Sequence, residues 1–164
     1  MTETPRDRCS LTTLEAFRSS CDQLLGSARR NVRILSPNLD LALLSRASVA
    51  TALADLTRAS RFTDIRILFA DSLLAMKHGH RLIELSRRFP SSISLRQLPV
   101  DRRDEQNSWI LTDDANLIWR PEHVRYDNGF CESENRELAP RLCRQFDDIW
   151  ERSQPDPELR RLFL

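Results

Sequence analysis

From Thr12 onward the apolar residues Leu14, Phe17, Cys21, Leu24, Leu25 and Ala28 recur at helical spacing. Residues three and four apart share one face of an α-helix, so the stretch predicts an amphipathic helix, with Thr12 and Glu15 as a capping-box pair at its start. The period then shortens. Val32 to Leu35 is a β-branched and leucine run closed by Ser36-Pro37; proline pushes the residue before it into extended backbone, and the run predicts a buried strand leaving the sheet. A loop with Asn38 and Asp40 follows. Ser45 to Ser60, with Val49, Ala52, Leu53 and Leu56 on one face, predicts a second helix, and Ile65 to Phe69 a second strand. Gly79 to Phe89 sets Leu82, Ile83 and Leu85 against Arg81, Arg87 and Arg88, which predicts a third helix ahead of a strand from Ile93 to Leu98. Strands alternating with helices predict an α/β domain whose parallel strands are joined by right-handed crossovers.

After Pro99 the pattern changes. Trp109 to Leu111 and Asn116 to Trp119 flank the polar turn Thr112-Asp113-Asp114-Ala115, which predicts a hairpin added to the sheet. Arg136 to Arg152 carries Leu142, Cys143, Phe146, Ile149 and Trp150 at helical spacing, with Pro140 near the first turn, and predicts a closing helix. The expected fold is therefore α/β, a mixed and mostly parallel sheet flanked by helices. One domain is expected over residues 12–153, with a polar segment at 1–11 and a proline-punctuated tail at 154–164. No internal repeat or composition shift divides it.

Composition narrows the setting. At 164 residues the chain is long enough to bury a core unaided. No apolar run approaches the ~18 residues of a membrane span, and the N-terminal MTETPRDRCS lacks an apolar h-region, so a cytoplasmic protein with no membrane contact is expected. The four cysteines show no C-x-x-C pairing and only three histidines accompany them, so no metal and no cofactor is expected. Cys21 and Cys143 fall on apolar helix faces, while Cys9 and Cys131 read as free thiols. The net charge of +1, from 25 basic and 24 acidic residues, gives no global field towards nucleic acid, and any such contact must be a local patch. Nearly all the basic residues are arginine, which suits bidentate contacts with carboxylate or phosphate. The candidate pairs are Arg29-Arg30, Arg87-Arg88, Arg102-Arg103 and Arg160-Arg161, although Asp101, Asp104 and Glu105 offset Arg102 and Arg103.

Several segments together resemble a known family. A first strand ending Ile34-Leu35-Ser36-Pro37, a helix running into Ile65-Arg66-Ile67-Leu68, a strand ending Gln97-Leu98-Pro99 and a hairpin after it look like one half of a phospholipase D-like domain. Asn135-x-Glu137 and Phe146-x-x-x-Trp150 with Ser153 resemble that family's C-terminal segment. The likeness runs from about residue 13 to 153, and extends to the small phospholipase D-like domains found alone or behind acetyltransferase domains in proteobacterial proteins. Acetyl transfer itself is not expected: the chain has only Gly26, Gly79 and Gly129, and no glycine-rich turn to cradle a pyrophosphate.

The family's signature is H-x-K-x-x-x-x-D. Counting back from Asp113 puts Gln106 at the histidine position and Ser108 at the lysine position. In the family, the histidine of one motif attacks phosphorus, that of a second protonates the leaving oxygen, and the lysines hold the phosphate. Glutamine does neither proton transfer nor attack, and serine carries no charge. The resemblance therefore implies the fold without the chemistry, and no enzyme is expected. Asp113 is expected to bond local backbone groups, and the Asp113-Asp114 pair to form a turn. His78 and His80 are expected at a helix start facing solvent, and His123 in a polar loop.

What remains is a binding or assembly module, with a protein as the expected partner and a homodimer as its expected form, because the resembled family pairs two such halves. Trp109, Trp119, Tyr126 and Phe130 are the candidate partner-binding aromatics, with Arg102, Arg103, Asn135 and Glu137 as candidate polar contacts. The alternative is binding of phosphate or a nucleic-acid backbone.

Overall fold

The computed structural model describes residues 8–155. Thr13, one residue beyond the expected cap, opens α1 (Leu14–Ser27): its hydroxyl accepts the Ala16 N–H at 3.1 Å, so the Thr12 and Glu15 box is not the one used. Strand β2 (Asn31–Leu35) leads through α2 (Leu41–Leu44) and α3 (Ala47–Ala59) to β3 (Asp64–Phe69). Then come α4 (Leu73–His78), α5 (Arg81–Arg88) and β4 (Ile93–Gln97), followed by a 3₁₀ turn at Val100–Arg102. The hairpin is β5 (Ser108–Thr112) and β6 (Asn116–Arg120). A short β7 (Phe130–Glu132) and α6 (Leu138–Arg152) complete the order, and β1 (Arg8–Ser10) precedes it all. Residues 8–10, expected in a polar segment, thus join the sheet as an edge strand on β7. Of the tail, Gln154 bridges Gln97, and 156–164 lie outside the described residues. So do Arg160-Arg161.

The seven strands lie in the order β1-β7-β6-β5-β2-β3-β4. Only β2·β3 and β3·β4 are parallel; β2·β5, β5·β6, β6·β7 and β7·β1 are antiparallel. The expectation of a mostly parallel sheet is corrected: the sheet is mixed and mostly antiparallel. The reason lies in the connections. Helices join β2 to β3 and β3 to β4, as parallel neighbours require, whereas β5, β6 and β7 follow one another without an intervening helix and return as antiparallel partners. The short strands β1 and β7 carry too few alternating apolar positions to be read from sequence.

Each face of the sheet has its own core. Phe17, Cys21 and Leu25 of α1, Val49 and Leu53 of α3 and Leu82 and Leu85 of α5 bury against Val32, Ile34, Ile65, Ile67, Ile93, Ile110 and Ile118. On the opposite face α6 lays Leu142, Phe146, Ile149 and Trp150 over Leu35, Leu68, Trp109 and Leu117. There Phe146 stacks on Trp150 at 5.8 Å and meets Trp109 edge-on at 5.5 Å. Arg33, Arg66 and Arg96 share this second face: Arg33 pairs with Asp147 and Asp114, while the guanidiniums of Arg66 and Arg96 lie over the Trp150 ring at 5.4 and 4.5 Å. Cys21 is buried, which pushes its thiol up to about 12, and Cys9 faces Cys131 across β1 and β7 as a free thiol. Among the described residues no helix is long and apolar enough to cross a membrane.

Because α6 is the helix that covers the second face among the described residues, its aromatic pair should dominate the stability there. Phe146→Ala is expected to lower the unfolding free energy by roughly 3–5 kcal/mol in a urea titration. A loss under about 1 kcal/mol would place the ring outside the core.

Candidate functional site

The two ends of β5 separate Ser108 and Asp113, two of the three residues expected to form a degenerate motif. Ser108, at its start, is buried, and its hydroxyl donates to the Leu35 carbonyl at 3.1 Å. Asp113 lies just past its end in the β5–β6 turn, roughly 16 Å away for five extended residues. Its carboxylate accepts three backbone N–H groups, from Arg29, Arg30 and Asn31, at 2.9, 2.9 and 3.1 Å. The expectation of a backbone role holds, but the groups are not local: they belong to the α1–β2 loop, and Asp113 staples that loop to the hairpin. Asp113 and Asp114 take left-handed backbone, φ 52° and 59°, as turn residues. Gln106 is exposed in the loop before β5, where its carbonyl accepts the His123 N–H at 2.7 Å.

The structure also disperses the other candidates. Trp109 is core, packed under α6. Trp119 and Phe130 continue the same row across β6 and β7, half-buried, with the Arg8 guanidinium 4.0 Å over the Phe130 ring. Asn135 is consumed as a cap: its Oδ1 accepts the Glu137, Leu138 and Ala139 N–H groups at the start of α6, while its Nδ2 donates to the buried Glu132. These bonds commit the buried Asn135 side chain to the protein's own backbone and to Glu132. Glu137 is exposed at the same helix end. Arg103 donates to the Leu98 carbonyl and to Gln97, and half-buried Arg102 lines a narrow cleft with Glu105, Trp109, Gln145 and Phe146.

The buried chemistry lies instead on the α1 face, around a residue that strand patterning alone would place among Ile110 and Ile118. Arg120 pairs across the hairpin with Ser108, so its side chain rises beside the residue expected at the family's lysine position. It is 2% exposed and donates at 2.8 Å to Asp40, itself 3% exposed. The Tyr126 hydroxyl donates to the same carboxylate at 2.7 Å, and Asp40 also caps α2 through the Leu43 N–H. The rings of Tyr126 and Phe17 flank the guanidinium at 4.6 and 5.6 Å. Burial and the Asp40 charge push the tyrosine up to about 12. Gly129 closes the assembly: a Cβ there would stand 2.5 Å from the Trp119 carbonyl and 2.6 Å from Phe17.

His80 extends the cluster from below. It starts α5 as expected, its Nδ1 accepting the Leu82 N–H at 3.0 Å, but at 1% exposure it does not face solvent as expected. The cap is compatible with either orientation, and packing draws the ring inward. Burial lowers its pKa to about 4, outweighing the Leu39 and Asp40 backbone groups that favour the charged ring. His78 is exposed. Among the described residues no group of three His, Cys, Asp or Glu side chains is placed to hold a metal.

The arrangement of sheet and helices is that of the phospholipase D family. Nuc from Salmonella typhimurium, a phospholipase D family member, superposes with a TM-score of 0.65 at 14% identity, over 91% of this chain and 97% of that one. NucT from Helicobacter pylori superposes at 0.63 with 13% identity, over 92% and 99%. TrmBL2, an archaeal chromatin protein with a novel mode of DNA binding, gives 0.64 at 12% identity, and this chain spans 56% of its length. Identities this low establish the fold alone. By sequence, residues 13–162 match the family described as Domain of unknown function (DUF7931), and the chain belongs to it. No curated protein matches the chain.

Two outcomes test the buried cluster. Asp40→Asn, which keeps the shape and removes the charge, should cost roughly 3–5 kcal/mol because it leaves Arg120 charged and buried; Asp40→Leu with Arg120→Met should recover most of that loss. For His80 the unfolded ring takes a proton near pH 6.5 while the folded ring refuses it until about 4. The unfolded state thus binds more protons in that window, and stability falls as pH drops through it. A His80→Asn variant, which retains a capping group, should show a shallower decline between pH 6.5 and 4 in parallel thermal melts.

Proposed function

We propose that this protein is a non-catalytic phospholipase D-like module that acts by assembly, with a second copy of itself as the first partner. One observation carries the reading. At the position of the family's lysine stands Ser108, bonded to backbone, and the cation beside it, Arg120, is already neutralised by Asp40. A phosphodiester entering there would meet no nucleophile at Gln106 and would have to displace an internal carboxylate from Arg120. The enzyme chemistry has lost both its proton carrier and its anion hold.

The same end of the sheet supports assembly. Leu73 and Leu74 follow β3, Val100 follows β4 and Val124 follows β6, all exposed large apolar side chains at the ends of those strands. A soluble monomer usually hides such side chains when they are contiguous. A two-fold partner would cover them with the same patch from another copy.

The expected result in sedimentation equilibrium at micromolar concentration is a mass twice the 19.1 kDa of one chain, returning to one chain in a Leu73→Glu, Val100→Glu variant that melts as the parent does. A single-chain mass at every concentration would overturn the self-assembly. Turnover of a bis-aryl phosphate that is lost in Gln106→Ala would overturn the non-catalytic reading; none is expected.

A further inference from the structure

The opposite edge of the sheet, where the parallel strands begin, collects arginines that are far apart in sequence. Asn31 of β2 pairs with Asp64 of β3, and Ile65 pairs with Ile93 of β4, so the loops before the three strands lie side by side. At about 4.8 Å between strands they span roughly 10 Å. They are also tied together: the Asp64 N–H donates to the Arg30 carbonyl at 3.0 Å and the Ile65 N–H to the Ser92 carbonyl at 2.8 Å. From these loops and the helix ends beside them project Arg29, Arg30, Arg58, Arg61 and Arg88, all exposed.

Charge here is not balanced as it is over the whole chain. Arg58 meets Asp55 at 3.6 Å and Arg66 meets Asp64 at 3.1 Å. Asp113 is held by backbone N–H groups, and Asp114 is paired with Arg33. Among the described residues Arg29, Arg30, Arg61 and Arg88 make no ion pair. Counting Arg29, Arg30, Arg58, Arg61, Arg66 and Arg88 against Asp55, Asp64 and Asp113 leaves three positive charges in excess on one edge.

An aromatic ring stands among them. Phe62 is 59% exposed, while Thr63 next to it is buried and pinned by its hydroxyl to the Leu56 carbonyl at 2.9 Å, so the ring is presented on a fixed backbone. The guanidiniums of Arg61 and Arg30 lie over it at 4.9 and 5.7 Å, and Phe89 is flanked in the same way by Arg88 and Arg58 at 5.2 and 5.6 Å. Interleaved arginine and aromatic side chains on a rigid edge are what a flexible polyanion with flat bases needs: phosphates meet the cations and an unstacked base lies on the ring. A duplex keeps its base faces covered and could not use Phe62 in this way.

We propose that the edge formed by the loops before β2, β3 and β4 binds single-stranded nucleic acid, with Arg29, Arg30, Arg61 and Arg88 on successive phosphates and Phe62 stacking on a base. This edge is remote from Ser108 and Arg120 and independent of the assembly reading, so either can fail without the other.

The test is fluorescence anisotropy of a labelled 20-nucleotide oligouridine with the full chain. Three or four phosphate contacts predict a slope of log K against log salt of about −2 to −3, so binding should weaken about 20- to 50-fold between 50 and 200 mM salt. Arg61→Glu with Arg88→Glu should weaken it by at least about tenfold, and Phe62→Ala by about tenfold, with melting temperatures unchanged. Arg144→Glu, exposed on α6, should leave it intact. The proposal is overturned if no salt-dependent binding is seen at 50 mM, if the double variant binds as the parent does, if a duplex of equal length binds as tightly, or if the chain binds only vesicles containing phosphatidylserine.

Discussion

The ion pair between Arg120 and Asp40 joins parts of the chain that lie eighty residues apart. Asp40 belongs to the segment after β2, and Arg120 ends β6 in the antiparallel part of the sheet. Tyr126 brings the β6–β7 loop to the same carboxylate, Phe17 brings α1, and His80 brings α5 up beneath. Taking two charges out of water is expensive, and an apolar replacement of the same volume would serve stability as well or better. What the pair supplies is direction: a guanidinium and a carboxylate meet best in one geometry, and the Tyr126 hydroxyl ties the β6–β7 loop to that same carboxylate. The glycine is part of the same constraint, since any larger residue would strike Trp119 and Phe17.

The same geometry underlies the proposed non-catalytic reading. Ser108 is buried and donates to the Leu35 carbonyl, and Arg120, one strand over, turns its charge inward onto Asp40. On that reading Asp40 takes the chemical role of the anion, so the space is filled from within. Gln106 spends its carbonyl on the His123 backbone N–H.

Much of this was legible in the chain. The 3.6-residue period fixed α1, α3, α5 and α6 to within a few residues, because each has a wide apolar stripe, and the three parallel strands were marked by dense aliphatic runs. The direction of the other strands was not, since pairing direction follows from connection length and β7 is three residues long. At the site, Asp113 could be recognised as a backbone ligand but not its partners, which lie more than eighty residues back. Arg120 was missed for a physical reason: a charged residue at a strand end normally faces solvent, and only the coincidence of Asp40, Tyr126 and Phe17 in space makes its burial tolerable. His80 misled in the same manner, because a capping histidine can face either way and only packing chooses.

The two ends of the sheet therefore differ in kind. Where the parallel strands finish, charge is neutralised internally and apolar side chains stand out, which suits a surface that another protein covers. Where they begin, the reverse holds: carboxylates are tied to backbone or to one arginine each, and several guanidiniums remain exposed around Phe62. A net charge of +1 conceals this division, because the excess of cations at the starting end is offset in the sum by acids elsewhere in the chain. Electrostatic attraction in salt solution falls off within about 8–10 Å. A polyanion approaching the starting edge thus responds to the arginines there and hardly at all to the acidic residues beyond the far end of the strands.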